Sequence, residues 1–563
     1  MEKLAKQLGA IINAEYGIDV RPEILSSEHA DFETNVAMRI AKQAGINPRV
    51  MGEKLVELLA KQDVKAEVAG PGFLNFTLVD SELVGSLNES AENHDAFYEC
   101  DTYKDKVVVT EFSDPNPFKV LHVGHLYTSI VGDAISNLVE KAGGEVHRVN
   151  FGGDVGLHVA KTMWAIEKQL GGFEVDQLPS GEIAARMDWI AARYVEGTNA
   201  YEESEASKNE IVALNKAIYE VTATKDEESA MAKVYWQCRA WSYEYFDAFY
   251  ARVGVEFEKY YPESVTAGLG LTTVREQIKD GGYEESDGAV IFRGEPYGLH
   301  TRVFINNNGL PTYEAKDVGL IFKKWDDYKF DKSVVITGAD ITEYMKVVLK
   351  SIEQFAPELA LRTKHIVHGN VTLAGGVKMS SRKGNFLRAV DVLDMVGSEQ
   401  QAVTGEPNEA VALGAAKYAF LKTKVEPGNL TFDVKESVSL QGDSGPYLQY
   451  SLARAKSILR KSGGVFDGAV ELADNESLDE YERRLLLALL EWKDALGRAV
   501  DELAPHRVCT YLYKLAQKFS RFYENNKVAG GEKEQLRKKL VEGYINVLEE
   551  GLAVLGIPSV EKI

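Results

Sequence analysis

The chain has 563 residues, 45% of them hydrophobic, with 64 Lys+Arg against 86 Asp+Glu and a formal net charge of −22. That length predicts roughly three or four domains, and so acidic an average excludes binding nucleic acid through bulk charge alone. No run of about 18 apolar residues occurs, and MEKLAKQLGAIINAEYG is an amphipathic start without a signal-peptide core, so the expectation is a cytoplasmic protein with no membrane segment. Cys100, Cys238 and Cys509 are too scattered for a disulfide framework or a CxxC zinc site; they read as reduced structural thiols, and no metal ligand set is visible.

In chain order, residues 1–95 open with a helix. HADFETNVAMRIAKQAG and INPRVMGEKLVELLAKQ are both helical in period, and AEVAGPGFLNFTLV reads as a Gly-Pro turn running into a strand on which Phe73 and Asn75 share a face. KVVVTEF (Lys106 to Phe112) is β-branched and bounded by charge, hence a buried strand. A loop rich in Pro and Asn follows, and then Ile130, Val131, Ala134, Ile135 and Leu138 recur at helical spacing until Gly143 and Gly144. EVHRVNFG resumes as a strand. The helix of this βαβ unit starts at His122, Val123, Gly124, His125, which predicts free backbone N–H groups and the positive dipole end facing a phosphate. Two imidazoles add donors there, and Gly124 lets a base approach the backbone. Acidic, mostly helical sequence between about 165 and 260 is expected to cap or frame the site. From 411 to 563 the pattern is almost wholly helical with apolar stripes, a bundle. This last segment is neutral, with 22 basic and 22 acidic residues, and its stretch Pro505 to Lys539 holds nine basic residues against three acidic ones. Such a surface can hold phosphates, although a solvated helix face accounts for the charge as well.

HVGH, followed some 250 residues later by KMSSRKGN (Lys378 to Asn385), resembles the two ATP-handling signatures of class I aminoacyl-tRNA synthetases. EFSDPNPFKVLHVGH, PTYEAKDVGL (Pro311 to Leu320), the helical GPYLQYSLARA and PHRVCTYLYKLAQKFSRFYENNKV, and the early GPGFLNF together resemble the arginyl-tRNA synthetase family over essentially the whole length. A lone HxGH is shared with unrelated nucleotidyltransferases; four blocks in order are specific. The resemblance implies a multidomain α/β protein: a small N-terminal tRNA-contacting α/β domain (1–95), a Rossmann-like parallel-sheet catalytic domain (96–410) with the helical insertion, and an all-α anticodon-binding bundle (411–563). It implies ATP as substrate, Mg2+ with it, no zinc, and L-arginine and tRNA(Arg) as partners of a monomer. Arginine's carboxylate attacks the α-phosphate of ATP, and the terminal ribose of the tRNA then takes the arginyl group.

The same resemblance assigns residues. His122 and His125 would stabilise charge on the α-phosphate with Gly124 beside them, and Lys378 of the segment Lys378, Met379, Ser380, Ser381, Arg382, Lys383 would reach the pyrophosphate. The family's second loop lysine is Ser381 here. Lys119, three residues before His122, resembles a subset of the family in which a lysine at that place substitutes, with Lys383 the competitor. A guanidinium is a flat, charged fork of five donors, and Glu111, Asp317 and Tyr313 would receive it while Asn116 and Asp340 hold the α-amino and α-carboxyl groups. Lysine would leave such carboxylates partly unpaired. Val120 replaces a proline. His158 replaces an amide and is expected near the ribose or the arginine, while His300 and His368 are expected as structural histidines. Phe73 and Asn75 would hold a D-loop base, and Arg454 and Arg521 would contact tRNA amid Tyr447, Tyr450, Tyr511, Tyr513, Phe519, Phe522 and Tyr523. A synthetase for cysteine or methionine is opposed by the absence of zinc-ligand clusters and the presence of Glu111, Tyr313 and Asp317. A noncatalytic tRNA-binding paralogue is opposed by His122, His125 and Lys378.

Overall fold

The computed structural model covers the chain and describes residues 2–27, 30–62, 64–374, 387–473 and 476–562. It divides into two compact units, one built from 1–99, 454–494 and 514–547, the other from 100–453, 495–513 and 548–563.

In the larger unit the β-branched run forms β1 (Val107–Glu111), followed by α1 (Val123–Lys141) and β2 (Glu145–Gly152). The acidic insertion follows as α2 (Leu157–Leu170), α3 (Ile183–Glu203), α4 (Glu205–Thr224) and α5 (Ala230–Val253). The chain then returns through β3 (Lys259–Pro262) and α6 (Glu263–Ile278), and adds β4 (Glu284–Ser286), β5 (Ala289–Phe292) and β6 (Arg302–Ile305) as a separate antiparallel sheet. It continues as α7 (Tyr313–Tyr328), β7 (Lys332–Gly338), α8 (Thr342–Glu353) and β8 (Thr363–His368). Strands pair as β8-β7-β1-β2-β3, all parallel. Strand order therefore reverses between β1 and β7, and a parallel sheet opens a crevice at the carboxyl ends of the strands where this happens.

Two features aim residues into that crevice. Val109, Val149, Val318, Val335, Met345 and Val348 bury against one another and fix α7 and α8 on the sheet. The helices α6 and α7 cross at glycines: a Cβ on Gly270 would stand 1.8 Å from the Ala315 carbonyl oxygen, and one on Gly319 2.2 Å from that of Thr266.

The smaller unit holds a four-stranded antiparallel sheet in the order Leu25–Ser26, Phe32–Thr34, Phe73–Phe76, Ala66–Ala69. The helical reading of HADFETNVAMRIAKQAG holds only from Val36 to Ala44, because Phe32–Thr34 pairs with Phe73–Phe76 and strand pairing overrides local period. The C-terminal helices fall at Gly445–Lys461, Glu480–Leu490, Trp492–Glu502, Pro505–Asn525 and Glu534–Val554. Arg483 binds the carboxylates of Asp31 and Asp80 and donates to the Leu78 carbonyl at 2.7 Å, joining Glu480–Leu490 to the sheet of the same unit.

Gly270→Ala should destabilise the larger unit by about 1–3 kcal/mol, the usual cost of overpacking. Thermal unfolding followed by circular dichroism measures it; an unchanged midpoint would show that the crossing can open without cost.

Candidate active site

A cleft of ≈980 Å³ lies at the reversal between β1 and β7. At one end is the start of α1. His122 is the N-cap: its Nδ1 accepts the Gly124 N–H at 3.1 Å, while His125 Nδ1 accepts the His122 N–H at 3.1 Å, a reciprocal capping box built from two imidazoles. The Val123 N–H donates to the Leu387 carbonyl at 2.9 Å, and the His125 N–H to that of His122 at 2.9 Å. The expectation of free backbone N–H groups is thus corrected: the His122 ring takes that of Gly124, the Leu387 carbonyl that of Val123 and the His122 carbonyl that of His125. With both Nδ1 atoms accepting, each neutral ring carries its proton on Nε2. The rings lie tilted by 32° against each other, with centroids 3.8 Å apart. Burial, then the nearby Lys119 charge, pulls His122 down to about 4. His125, more deeply buried and beside both His122 and Lys119, lies well below the usual histidine range. Gly124 has a further duty, since a Cβ there would come within 2.8 Å of the His122 ring and break the cap.

The loop between β1 and α1 puts Ser113, Asp114 and Phe118 at positive φ, a cost that non-glycine residues bear only where neighbours hold them. The neighbours are identifiable. Asp114 Oδ1 accepts the Phe151 N–H at 2.8 Å, Asn116 Oδ1 accepts the Gly153 N–H at 2.8 Å, and the Phe118 N–H donates to Ser242 Oγ at 3.0 Å. Asn116 lines the cleft with its carbonyl oxygen already engaged. Lys119 is half-buried on this loop, its Nζ 4.8 Å from the centroid of the Tyr194 ring of α3.

The other end of the cleft is acidic. Glu111 is buried at the end of β1 and lines the cleft, but its carboxylate is bound by Lys324 of α7, whose Nζ also donates to Ser333 Oγ at 3.0 Å. Glu263, at the start of α6, is likewise paired with Lys316 at 2.5 Å. Burial opposes the Lys316 charge, yet Glu263 and Tyr219 of α4 hold it above the usual lysine range. Asp317 also lines the cleft, and no ion pair to it occurs among the described residues; it accepts a hydrogen bond from the Tyr344 hydroxyl of α8. Burial is the main cause that pushes Asp317 up to about 8, with Glu111 and Glu263 adding to it against the Tyr344 hydrogen bond. Tyr313 borders the cleft one helical turn before Asp317, with 58% of its surface exposed, and exposed Asp340 borders it after β7.

His368 is buried in the cleft wall, with Nδ1 donating to the Gly369 carbonyl at 2.8 Å and Nε2 2.6 Å from the Thr128 hydroxyl. His158 is buried against the Gly153 carbonyl at 2.7 Å, behind the lining. Lys378, Met379, Ser380, Ser381, Arg382 and Lys383 lie outside the described residues. Among residues that sequence reasoning missed, Lys316, Lys324, Glu263, Arg302 and Tyr344 matter most. Lys316 stands next to Asp317 in the motif already singled out; the others carry no signal until α6, α7 and α8 are folded together.

In the smaller unit, Phe73 is half-buried but Asn75 is buried at 5% exposure, on a central strand whose last three residues are all covered. The expected shared outer face of Phe73 and Asn75 is therefore reduced to Phe73. Arg454 lies over the Tyr523 ring, 4.4 Å from its centroid. The basic stretch is also smaller than its composition promised: Arg507 pairs with Glu502, Lys533 and Arg537 with Glu482, Lys538 with Glu534, and Lys539 is buried. Lys514, Lys518 and Arg521 share one face of Pro505–Asn525 by their spacing. Phe519 and Phe522 are core, the former stacked on Tyr544 at 3.9 Å.

The family model of the catalytic domain of class I (R) tRNA synthetases matches residues 89–431. That of the arginyl tRNA synthetase N-terminal domain matches 2–78, and that of the DALR anticodon binding domain matches 448–563. The arginine--tRNA ligase of Porphyromonas gingivalis is 26% identical, with 100% of both chains covered, and that of Thermobifida fusca 28%, with 100% of this chain and 98% of the relative covered. Solved arginyl-tRNA synthetases of Thermus thermophilus (TM-score 0.79, 24% identity) and Plasmodium falciparum (TM-score 0.80, 21% identity) share the fold, each with 100% of both chains covered.

A histidine whose folded pKa is depressed is protonated first in the unfolded chain, so its contribution to stability is present above the unfolded value near 6.5 and lost as pH falls toward 4. His122 should add a slope approaching about 1.4 kcal/mol per pH unit in that window. Denaturant titrations across it measure the slope, and His122→Asn, which keeps a cap acceptor without a titrating group, should flatten it. An unflattened slope would contradict a neutral His122.

Proposed function

The chain belongs to the class I arginyl-tRNA synthetases and is an arginine–tRNA ligase, and we propose that its cleft activates L-arginine with ATP before passing the arginyl group to the 3′-terminal adenosine of tRNA(Arg). The observation that carries this reading is the meeting, in one cleft, of two neutral imidazoles and a buried carboxylate without a cationic partner among the described residues. A nucleotide belongs at the histidine end: the Nε2–H groups of His122 and His125 stabilise charge building on the α-phosphate without the repulsion that an imidazolium would bring to Lys119. Adenylate formation needs little covalent help, and alignment with charge stabilisation is the greater part of the work. Mg2+ enters with ATP as the nucleotide's counter-ion.

At the acidic end Asp317 receives the guanidinium, with Tyr313 beside it and Glu111 completing the wall through its pair with Lys324. Asn116 and Asp340 border the space for the α-amino and α-carboxyl groups. Lys119 supplies the cation that Ser381 does not, from the loop leading into His122. For tRNA, the domain reading is 1–95 for the outer corner and 411–563 for the anticodon, with Phe73, Arg454 and Arg521 as contact residues. Its substrates and the family's habit make it a cytoplasmic monomer on this reading; no helix among the described residues is long and apolar enough to cross a membrane.

ATP–pyrophosphate exchange run with each amino acid, with and without tRNA, tests the assignment: exchange is expected with arginine, and only when tRNA(Arg) is present. Exchange with another amino acid would overturn it. Lys119→Ala should slow exchange by about 100-fold or more while tRNA binding by filter retention stays nearly intact; near-normal exchange in that variant would return the role to Lys383.

A further inference from the structure

The cleft has an acidic end whose charges are unequally compensated. Glu111 is bound by Lys324 and Glu263 by Lys316, each pair buried. Asp114, half-buried, is held by the Phe151 N–H. Asp317 stands among them with one hydrogen bond among the described residues, from the Tyr344 hydroxyl to Oδ2. Tyr344 is itself fixed from β6, where Arg302, held by Glu314 at 3.1 Å, places its guanidinium 5.5 Å from the centroid of the Tyr344 ring. The groups facing Asp317 are thus Glu111 from β1, Asp114 from the following loop, Glu263 from α6, Lys316, Lys324, Glu314 and Tyr313 from α7, Arg302 from β6 and Tyr344 from α8.

We propose that Tyr344 is a specificity-determining, positioning residue: its hydroxyl occupies one oxygen of Asp317, leaves the other to meet the tip of the substrate, and makes entry of a guanidinium an exchange for the proton on Asp317. This rests on the reading of the cleft as the arginine pocket. With two ion pairs already closed, an additional unpaired carboxylate in a buried site is costly, so the empty pocket keeps Asp317 protonated. The value of about 8 for Asp317 and the strong elevation of Tyr344 agree with this, and the tyrosine stays a donor throughout the working range. A guanidinium makes ionisation of Asp317 favourable by supplying the missing cation. The atoms balance simply: Asp317 gives one proton to solvent and accepts hydrogen bonds from the ligand. A neutral ureido tip, as in citrulline, supplies no charge and cannot drive that exchange. The Tyr344 hydrogen bond favours the ionised form, so removing it raises the cost of ionisation and narrows the preference for the charged ligand.

Calorimetry of arginine binding in buffers of different ionisation heat, on the full chain between about pH 6.5 and 8.5, tests this. The wild-type protein should release about one proton per arginine at the lower end, falling away toward pH 8.5. Tyr344→Phe, which keeps the ring under Arg302, should bind arginine about tenfold or more weakly at pH 7, hold its proton release to higher pH, and let citrulline compete better against arginine. Asp317→Asn should bind weakly and release none. A structural role alone would weaken binding equally at every pH. A Tyr344→Phe release profile superimposable on the wild type, or release persisting in Asp317→Asn, would overturn the proposal while leaving the arginine pocket in place. Failure of the wild-type protein to bind arginine would instead remove the pocket assignment, and this inference with it.

Discussion

A carboxylate at the end of a central parallel strand has to be compensated where it stands, and Glu111 is compensated by Lys324 from α7, which reaches Ser333 of β7 as well. One ammonium therefore joins β1, α7 and β7 where strand order reverses. Losing either partner of such a pair leaves an uncompensated charge in the interior, worth about 3–5 kcal/mol. A second pair, Glu263 with Lys316, does the same between α6 and α7, across a crossing that Gly270 and Gly319 make close. The position of Asp317 is a result of these two closures: it lies one residue from Lys316 and two helical turns from Lys324, and neither lysine is left over for it.

The opposite end of the cleft solves a different problem. A helix start normally offers its own N–H groups to an anion, but here the first turn is closed by the imidazoles of His122 and His125. The rings accept from the backbone through Nδ1 and carry their protons on Nε2. The two side chains that close the helix start are thus the same two proposed to meet the nucleotide, and burial keeps both neutral.

Much of this was legible in the chain. The strand at Val107, the helix entered at His122 and the strand at Glu145 follow from period and punctuation, and the long C-terminal helices from their apolar stripes. The short strand Phe32–Thr34 was not, because only its partner, distant in sequence, makes it a strand. Site residues divide in the same way. His122, Gly124, His125, Tyr313 and Asp317 stand in local motifs, whereas Lys324, Glu263 and Tyr344 acquire meaning only through contacts across helices. The basic stretch after Pro505 shows the limit of composition: Glu482, from another helix, takes two of its cations.

The smaller unit draws its parts from three separated stretches, and Arg483 ties Asp31 and Asp80 to a helix made more than four hundred residues later. Residues 1–99 therefore lack their partners from 454–494 and 514–547 until those stretches have been made. At about 5–20 residues per second that delay is tens of seconds, during which Asp31 and Asp80 lack the Arg483 guanidinium that binds them in the folded chain. The stretch 1–99 is thus among the last to complete its fold, and chaperone demand during translation should concentrate there.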